Sequence, residues 1–321
     1  WNGRVYFGSD DGRVHCLDAK TGAVVWNFNA AIGNECLLGH GRFGSLWPVR
    51  AGVMIDDGCA WFTAGLFPSE GVFLYCVDAA TGKQKFRRAL TGTGNDGPSP
   101  QGYPLADSSS IYLTSRLEPT RWRKSDGGQV PFVTPRPEVN QSHEYRFCSG
   151  GSYAQLWNNR VVFGQAAILG YEPDRVWKDQ YGREQHGTLA FNWFNARRIA
   201  FKDDLAFVAT DYHLVAVKQN QLPTLAKTIC RDFEEAYKKH RVATCVAGLN
   251  EASRLGVDTE RGQAILNGKL KWSLKPYQEN WPAVSEKLFA RLESQTEWMT
   301  ELSANEVIVV SGKIIYAGGE D

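Results

Sequence analysis

The side chains best suited to chemistry in this 321-residue chain are arginines, tryptophans and a few histidines, most of them in Gly-rich or irregular stretches. Residues 37–50 hold His40, Arg42, Trp47 and Arg50 among several glycines. A guanidinium grips anions through paired hydrogen bonds and an aromatic face carries apolar or cationic contacts. Arg42, Trp47 and Arg50 are therefore candidates for holding an anionic or saccharide ligand. Glu70, in a lengthened turn at 66–71, joins this set, as do Tyr171 and Trp177 in a stretch expected to be a long aromatic and charged loop ending at Tyr181. His143 beside Glu144 has the chemistry to pass a proton or help hold a metal, and His186 lies in another irregular stretch. The competing reading is that Trp and Arg pack between sheets, and that isolated histidines are solvated or bonded locally. No Ser-His-Asp order, H-E-x-x-H pattern or Walker loop stands out. The seven cysteines include neither a C-x-x-C nor an adjacent pair, so no metal site is expected from them. Cys16 and Cys76 occupy matching apolar positions, where buried structural thiols are expected.

The elements that position these groups follow from composition and repetition. A formal net charge of +1 gives no electrostatic basis for binding nucleic acid or an anionic membrane surface. No run of 18 apolar residues occurs, so no membrane-spanning helix is expected. With 32 Gly and 11 Trp, the chain suits many tight turns between short strands. A polar turn followed by a short β-branched and aromatic strand recurs, starting at Asn2, Asp57, Ser109, Asn158, Asp203 and Ser311. The spacing is near fifty residues, except for a last interval about twice as long.

Two copies carry more. Asp18-Ala-Lys-Thr-Gly22 leads to Trp26, and Asp78-Ala-Ala-Thr-Gly82 leads to Phe86 at the same offset. The Asp carboxylate accepts local backbone N–H groups and Gly supplies a positive φ, while the aromatic wedges between neighbouring sheets. These residues resemble the tryptophan-docking signature of pyrroloquinoline-quinone-like (PQQ-like) β-propeller repeats, the family of quinoprotein alcohol dehydrogenases and BamB. The resemblance implies an all-β propeller of four-stranded blades, seven or eight in a complete ring. It also implies a periplasmic or secreted protein. Trp1 reads as part of a strand and residues 306–321 read as the start of a further blade, so the chain is expected to be the interior of a longer protein.

Residues 1–221 are expected to form blades and 222–305 a helical insertion within one blade. Leu225, Ile229, Phe233 and Tyr237 recur every four residues, and Val284, Leu288, Leu292, Gln295, Met299 and Leu302 suggest a later helix. Between them, residues 269–274 read as an outer strand with Trp272 as its docking aromatic. A quinoprotein of this family is expected to use adjacent cysteines, a Trp floor and Glu, Asn and Asp ligands for Ca²⁺. No adjacent cysteines occur, so no cofactor is expected, PQQ with Ca²⁺ being the alternative. The leading expectation is a non-enzymatic binding or scaffolding module for a protein or saccharide partner. The alternatives are a quinoprotein-like oxidoreductase and a carbohydrate-active enzyme.

Overall fold

The computed structural model describes residues 1–39, 41–90, 97–115, 119–130, 153–164, 167–194, 196–210, 213–226, 228, 293–302 and 306–319. These form two compact units divided at 190/191. The first begins with a three-stranded sheet, β1 (Arg4–Gly8), β2 (Arg13–Asp18) and β3 (Val24–Asn29), followed by a hairpin of β4 (Cys36–Gly39) and β5 (Arg42–Ser45). Three four-stranded sheets follow in chain order. The first is β6 (Met54–Asp56), β7 (Cys59–Ala64), β8 (Phe73–Asp78) and β9 (Gln84–Ala89). The second is β10 (Leu105–Ala106), β11 (Ser110–Leu113), β12 (Thr120–Arg123) and β13 (Gln129–Val130). The third is β14 (Ala154–Trp157), β15 (Arg160–Phe163), β16 (Ala167–Lys178) and β17 (Glu184–Phe194), whose last residues cross the division. The second unit holds β18 (Ala196–Lys202), β19 (Leu205–Thr210), β20 (His213–Lys218) and β21 (Trp298–Glu301), then a hairpin of β22 (Val307–Ser311) and β23 (Ile314–Gly318).

Each sheet is a meander in which neighbours along the chain are neighbours in space, the construction of a propeller blade. The recurring polar turns now have a conformation. Asp57 and Gly58 have φ of 47° and 67°, and Asn158 and Asn159 have 46° and 59°, as tight hairpins between right-twisted strands require. Consecutive sheets in the first unit pack face to face. Val14, Cys16 and Trp26 meet Ala60, Phe62, Tyr75 and Val77. From the opposite face of that second sheet, Trp61, Leu74 and Cys76 meet Ile111, Leu113 and Trp122. Tyr112 then meets Val161, Phe163 and Tyr171. Strands such as β7 read as an almost unbroken apolar run because both of their faces are covered. In the second unit, Ala209 and Leu214 pack against Ile308, Ile315 and Ala317.

The Asp-to-Gly turns are the joints between sheets. Asp18 Oδ1 accepts hydrogen bonds from Lys20 N, Thr21 N and Thr21 Oγ1 at 2.8–3.0 Å, and Gly22 closes the turn at φ 71°. Asp78 repeats this with Ala80 and Thr81, and Gly82 has the same φ. Hydrogen bonds from Thr21 hold the Asp18 carboxyl below its ordinary value, and the Thr81 hydroxyl and N–H do so for Asp78. The Trp26 indole lies on the second turn: its Nε1 donates to Ala79 O at 3.1 Å, and a Cβ at Gly82 would meet the ring at 2.8 Å. Tyr6 Oη and Arg4 Nη1 donate to the same turn, to Ala79 O at 3.0 Å and Ala80 O at 2.7 Å. Phe86 repeats the arrangement one sheet on, set edge-on to Trp61 and against Gly127. The sequence there looks degenerate, yet the turn persists. Gly127 N donates to Arg123 O, Gly127 has φ 64°, and Asp126 Oδ1 accepts from Gly128 N.

Two expectations require correction. Met299 was expected on a helix but lies in β21, where it pairs with Val215 of β20. The open edge of β20 captures this segment, and sheet pairing outweighs its helical spacing. β21 also fills the fourth-strand position expected of residues 269–274; Trp272 lies outside the described residues. The chain therefore leaves this blade after Lys218 and returns to it at Trp298. Residues 222–226 are helical, with Pro223 in the first turn and Leu225 and Ala226 buried, as its spacing suggests.

Trp26→Ala is expected to lower the unfolding free energy by about 3–5 kcal/mol, measured by urea titration. Gly82→Ala should destabilise more than Gly22→Ala. Both positions share one φ, but only the Cβ at 82 meets Trp26, so the difference isolates the indole contact.

Candidate binding site

The hairpin β4–β5 connects the first two sheets and stands out from both. Its pairing sets Leu38 opposite Phe43, and Gly41 turns the chain at φ 73°. Leu38 is 69% exposed and Phe43 79%, so the tip presents apolar groups to solvent beside the exposed Arg42. The base is fixed: Ser45 N donates to Asp10 O at 2.8 Å and Leu46 N to Glu35 O at 2.9 Å. Between hairpin and first sheet lies a cleft of about 230 Å³, lined by Asp11, Arg13, Asn29, Asn34, Glu35 and Phe43 among others. Carboxylates, amides and a guanidinium beside an open aromatic face can hydrogen-bond a polar ligand while the ring carries its apolar side.

Residues 37–50 were expected to be a loop between blades; residues 36–39 and 42–45 instead pair as strands, with Leu38 opposite Phe43. Trp47 is buried, and its Nε1 donates to Glu70 O at 2.8 Å, so Glu70 serves Trp47 through its backbone. Arg50 Nε bonds Asp10 Oδ1 at 2.8 Å. The structure thus joins Trp47 to Glu70 and Arg50 to Asp10, and leaves Arg42 on the hairpin. His40, His143 and Glu144 lie outside the described residues.

Residues 171–181 were expected to be a loop; strand β16 in fact runs to Lys178. Asp179 makes the turn, accepting from Tyr181 N and Arg183 N at 2.9 Å each, with Gly182 at φ 76°. Tyr171 is buried at the root of this hairpin. Trp177 lies further out and donates through Nε1 to Gly187 O at 2.7 Å. His186 is exposed, with Nε2 3.2 Å from Glu184 Oε1.

One cluster escaped sequence reasoning. Arg121, nearly buried on β12, bonds Asp174 Oδ1 through Nη1 at 2.6 Å and Ser110 Oγ through Nε at 3.0 Å. Its guanidinium lies over the Tyr112 ring, and Tyr112 Oη donates to Asp107 Oδ2 at 2.7 Å. Burial pushes the Asp107 carboxyl up, but Tyr112, the Ser109 and Ser110 N–H groups and Arg121 outweigh it and leave it low. Burial and Asp107 together push the Tyr112 phenol well up. The partners are separated in sequence, and no local motif announces them.

A family described as outer membrane protein assembly factor BamB matches residues 10–130. The dehydrogenase subunit of a quinone alcohol dehydrogenase from Gluconobacter oxydans (strain 621H) is 36% identical over 137 residues, covering 40% of this chain and 16% of that protein. The chain therefore spans about a sixth of that relative's length. The crystal structure of quinohemoprotein alcohol dehydrogenase from Comamonas testosteroni aligns with TM-score 0.42 at 13% identity, covering 68% of this chain and 40% of that one. BamB from Moraxella catarrhalis aligns with TM-score 0.35 at 12% identity, covering 68% and 70%.

The Arg121 cluster has a pH signature. A carboxyl held below its ordinary value stabilises the fold at neutral pH, and that contribution disappears as pH falls from the ordinary 3.8 through the lower folded value. Asp107→Asn should lower stability at pH 7 and flatten the loss below pH 3.8, read from urea midpoints across pH.

Proposed function

We propose that this PQQ-like propeller segment is a scaffolding and binding module that turns the β4–β5 hairpin and its cleft toward a protein or saccharide partner in an extracytoplasmic compartment. The observation that carries this reading is the division of labour among the candidate side chains. Trp26, Trp47 and Trp177 each donate to a backbone carbonyl, and Arg50 and Arg121 bond carboxylates, so these groups tie segments of the scaffold together. Leu38 and Phe43 instead stay in solvent beside a polar cleft, the mixture that recognition surfaces use. The matching family's description, an outer membrane assembly factor, supports both the compartment and a protein partner. No helix among the described residues is long and apolar enough to cross a membrane.

A second reading, part of a quinone-dependent alcohol dehydrogenase, is favoured by the 36% identity to a dehydrogenase subunit. Its cofactor, PQQ with Ca²⁺, needs clustered oxygen ligands. Among the described residues no group of three or more His, Cys, Asp or Glu side chains could hold a metal ion, and no two cysteines are adjacent in the sequence.

Adding PQQ and Ca²⁺ to the protein is expected to leave the quinone absorption unchanged and give no dye reduction with ethanol or glucose. A shifted spectrum with turnover would overturn the first reading in favour of the second. A photo-crosslinker at Phe43 should form adducts in cell-envelope extract, while one at Lys20 should not; equal labelling at both would count against the hairpin as the binding element.

A further inference from the structure

Cys59 opens β7, partly exposed, and pairs in register with Asp78 of β8. Beyond β8 lies β9, the last strand of this sheet, and between Cys76 and Val77 its register shifts so that Lys85 has no opposite residue. Such a bulge re-aims the side chain it carries. Lys85 reaches across β8: its Nζ donates to Cys59 Sγ at 3.3 Å and stands 3.6 Å from Asp78 Oδ2. Cys76 lies diagonal to Cys59 on the β7–β8 pair and is buried. Diagonal Cα atoms in such a pair are about 7–8 Å apart, beyond ordinary disulfide reach. Burial, and then its contact with Cys59, push the Cys76 thiol up to about 12, which makes it a poor attacking group.

We propose that Cys59 and Lys85 are an oxidation-sensitive pair, which hydrogen peroxide joins through a covalent N–O–S bridge between Lys85 Nζ and Cys59 Sγ, tying edge strand β9 to β7. In the first step the sulfur attacks one peroxide oxygen, the O–O bond breaks, and water leaves a sulfenic acid on Cys59. In the second, a bond forms between the Lys85 amine and the sulfenic oxygen. One proton leaves nitrogen and one leaves oxygen, a second peroxide takes the two electrons, and two waters result. The protein gains one oxygen and loses two hydrogens. Lys85 must first lose its ammonium proton, which Cys59 and then Asp78 help it keep, so bridging should accelerate as pH rises toward the lysine range.

The test treats the whole protein with hydrogen peroxide and maps its proteolytic peptides by mass spectrometry. The expected product links the peptides bearing Cys59 and Lys85 with a gain of about 14 Da, blocks tryptic cleavage after Lys85, and reverts with dithiothreitol. It should be absent from Cys59→Ser and from Lys85→Arg, which keeps the charge and the donor but not the primary amine. Cys59 is only partly buried at the margin of the core and Lys85 is exposed, so these near-isosteric variants should fold. A Cys59–Cys76 disulfide, or Cys59 oxidised alone with Lys85 still cleavable, would overturn the proposal. The bridged protein should also melt several degrees higher; an unchanged melting temperature would overturn the tie between strands.

Discussion

The indole of Trp26 rests on a turn that belongs to the next sheet, with its N–H on the Ala79 carbonyl and its ring where Gly82 has no side chain. Neither partner makes sense without the other. The ring needs a backbone surface free of Cβ atoms, and the turn needs a positive φ that glycine adopts without strain. Tyr6 and Arg4 reach the same turn from the first strand, so one loop receives three side chains from the preceding sheet. Phe86 over Gly127 is the same joint without the hydrogen bond, which explains how it survives a change from Trp to Phe.

Because the joints use backbone carbonyls as acceptors, polar aromatic side chains are drawn inward. Trp47 follows this rule with Glu70, and Trp177 with Gly187 inside its own hairpin. Arg121 obeys a related constraint: nearly buried, it has carboxylate and hydroxyl partners that offset its desolvation. Leu38 and Phe43, on the β4–β5 hairpin, take no part in these joints and stay exposed.

The blades were legible because their determinants are local. Asp18 to Gly22 and Asp78 to Gly82 are complete turns within five residues, and the aromatic follows at a fixed offset. The third turn was not legible, since its carboxylate moved from the first position to Asp126 while the backbone path stayed the same. The roles of Trp47 and Arg121 depend on partners 23 and 53 residues away, which spacing alone does not specify. Met299 misled for a related reason: a short segment with helical periodicity became a strand because β20 offered a free edge.

The return of the chain to its blade at Trp298 also sets an order of events during synthesis. β18, β19 and β20 leave the ribosome together, but their closing strand emerges only after the whole intervening segment has been made. At roughly 5–20 residues per second, that sheet stands with an unpaired edge for several seconds. During this interval, β20 offers its free edge to any other strand that can pair with it.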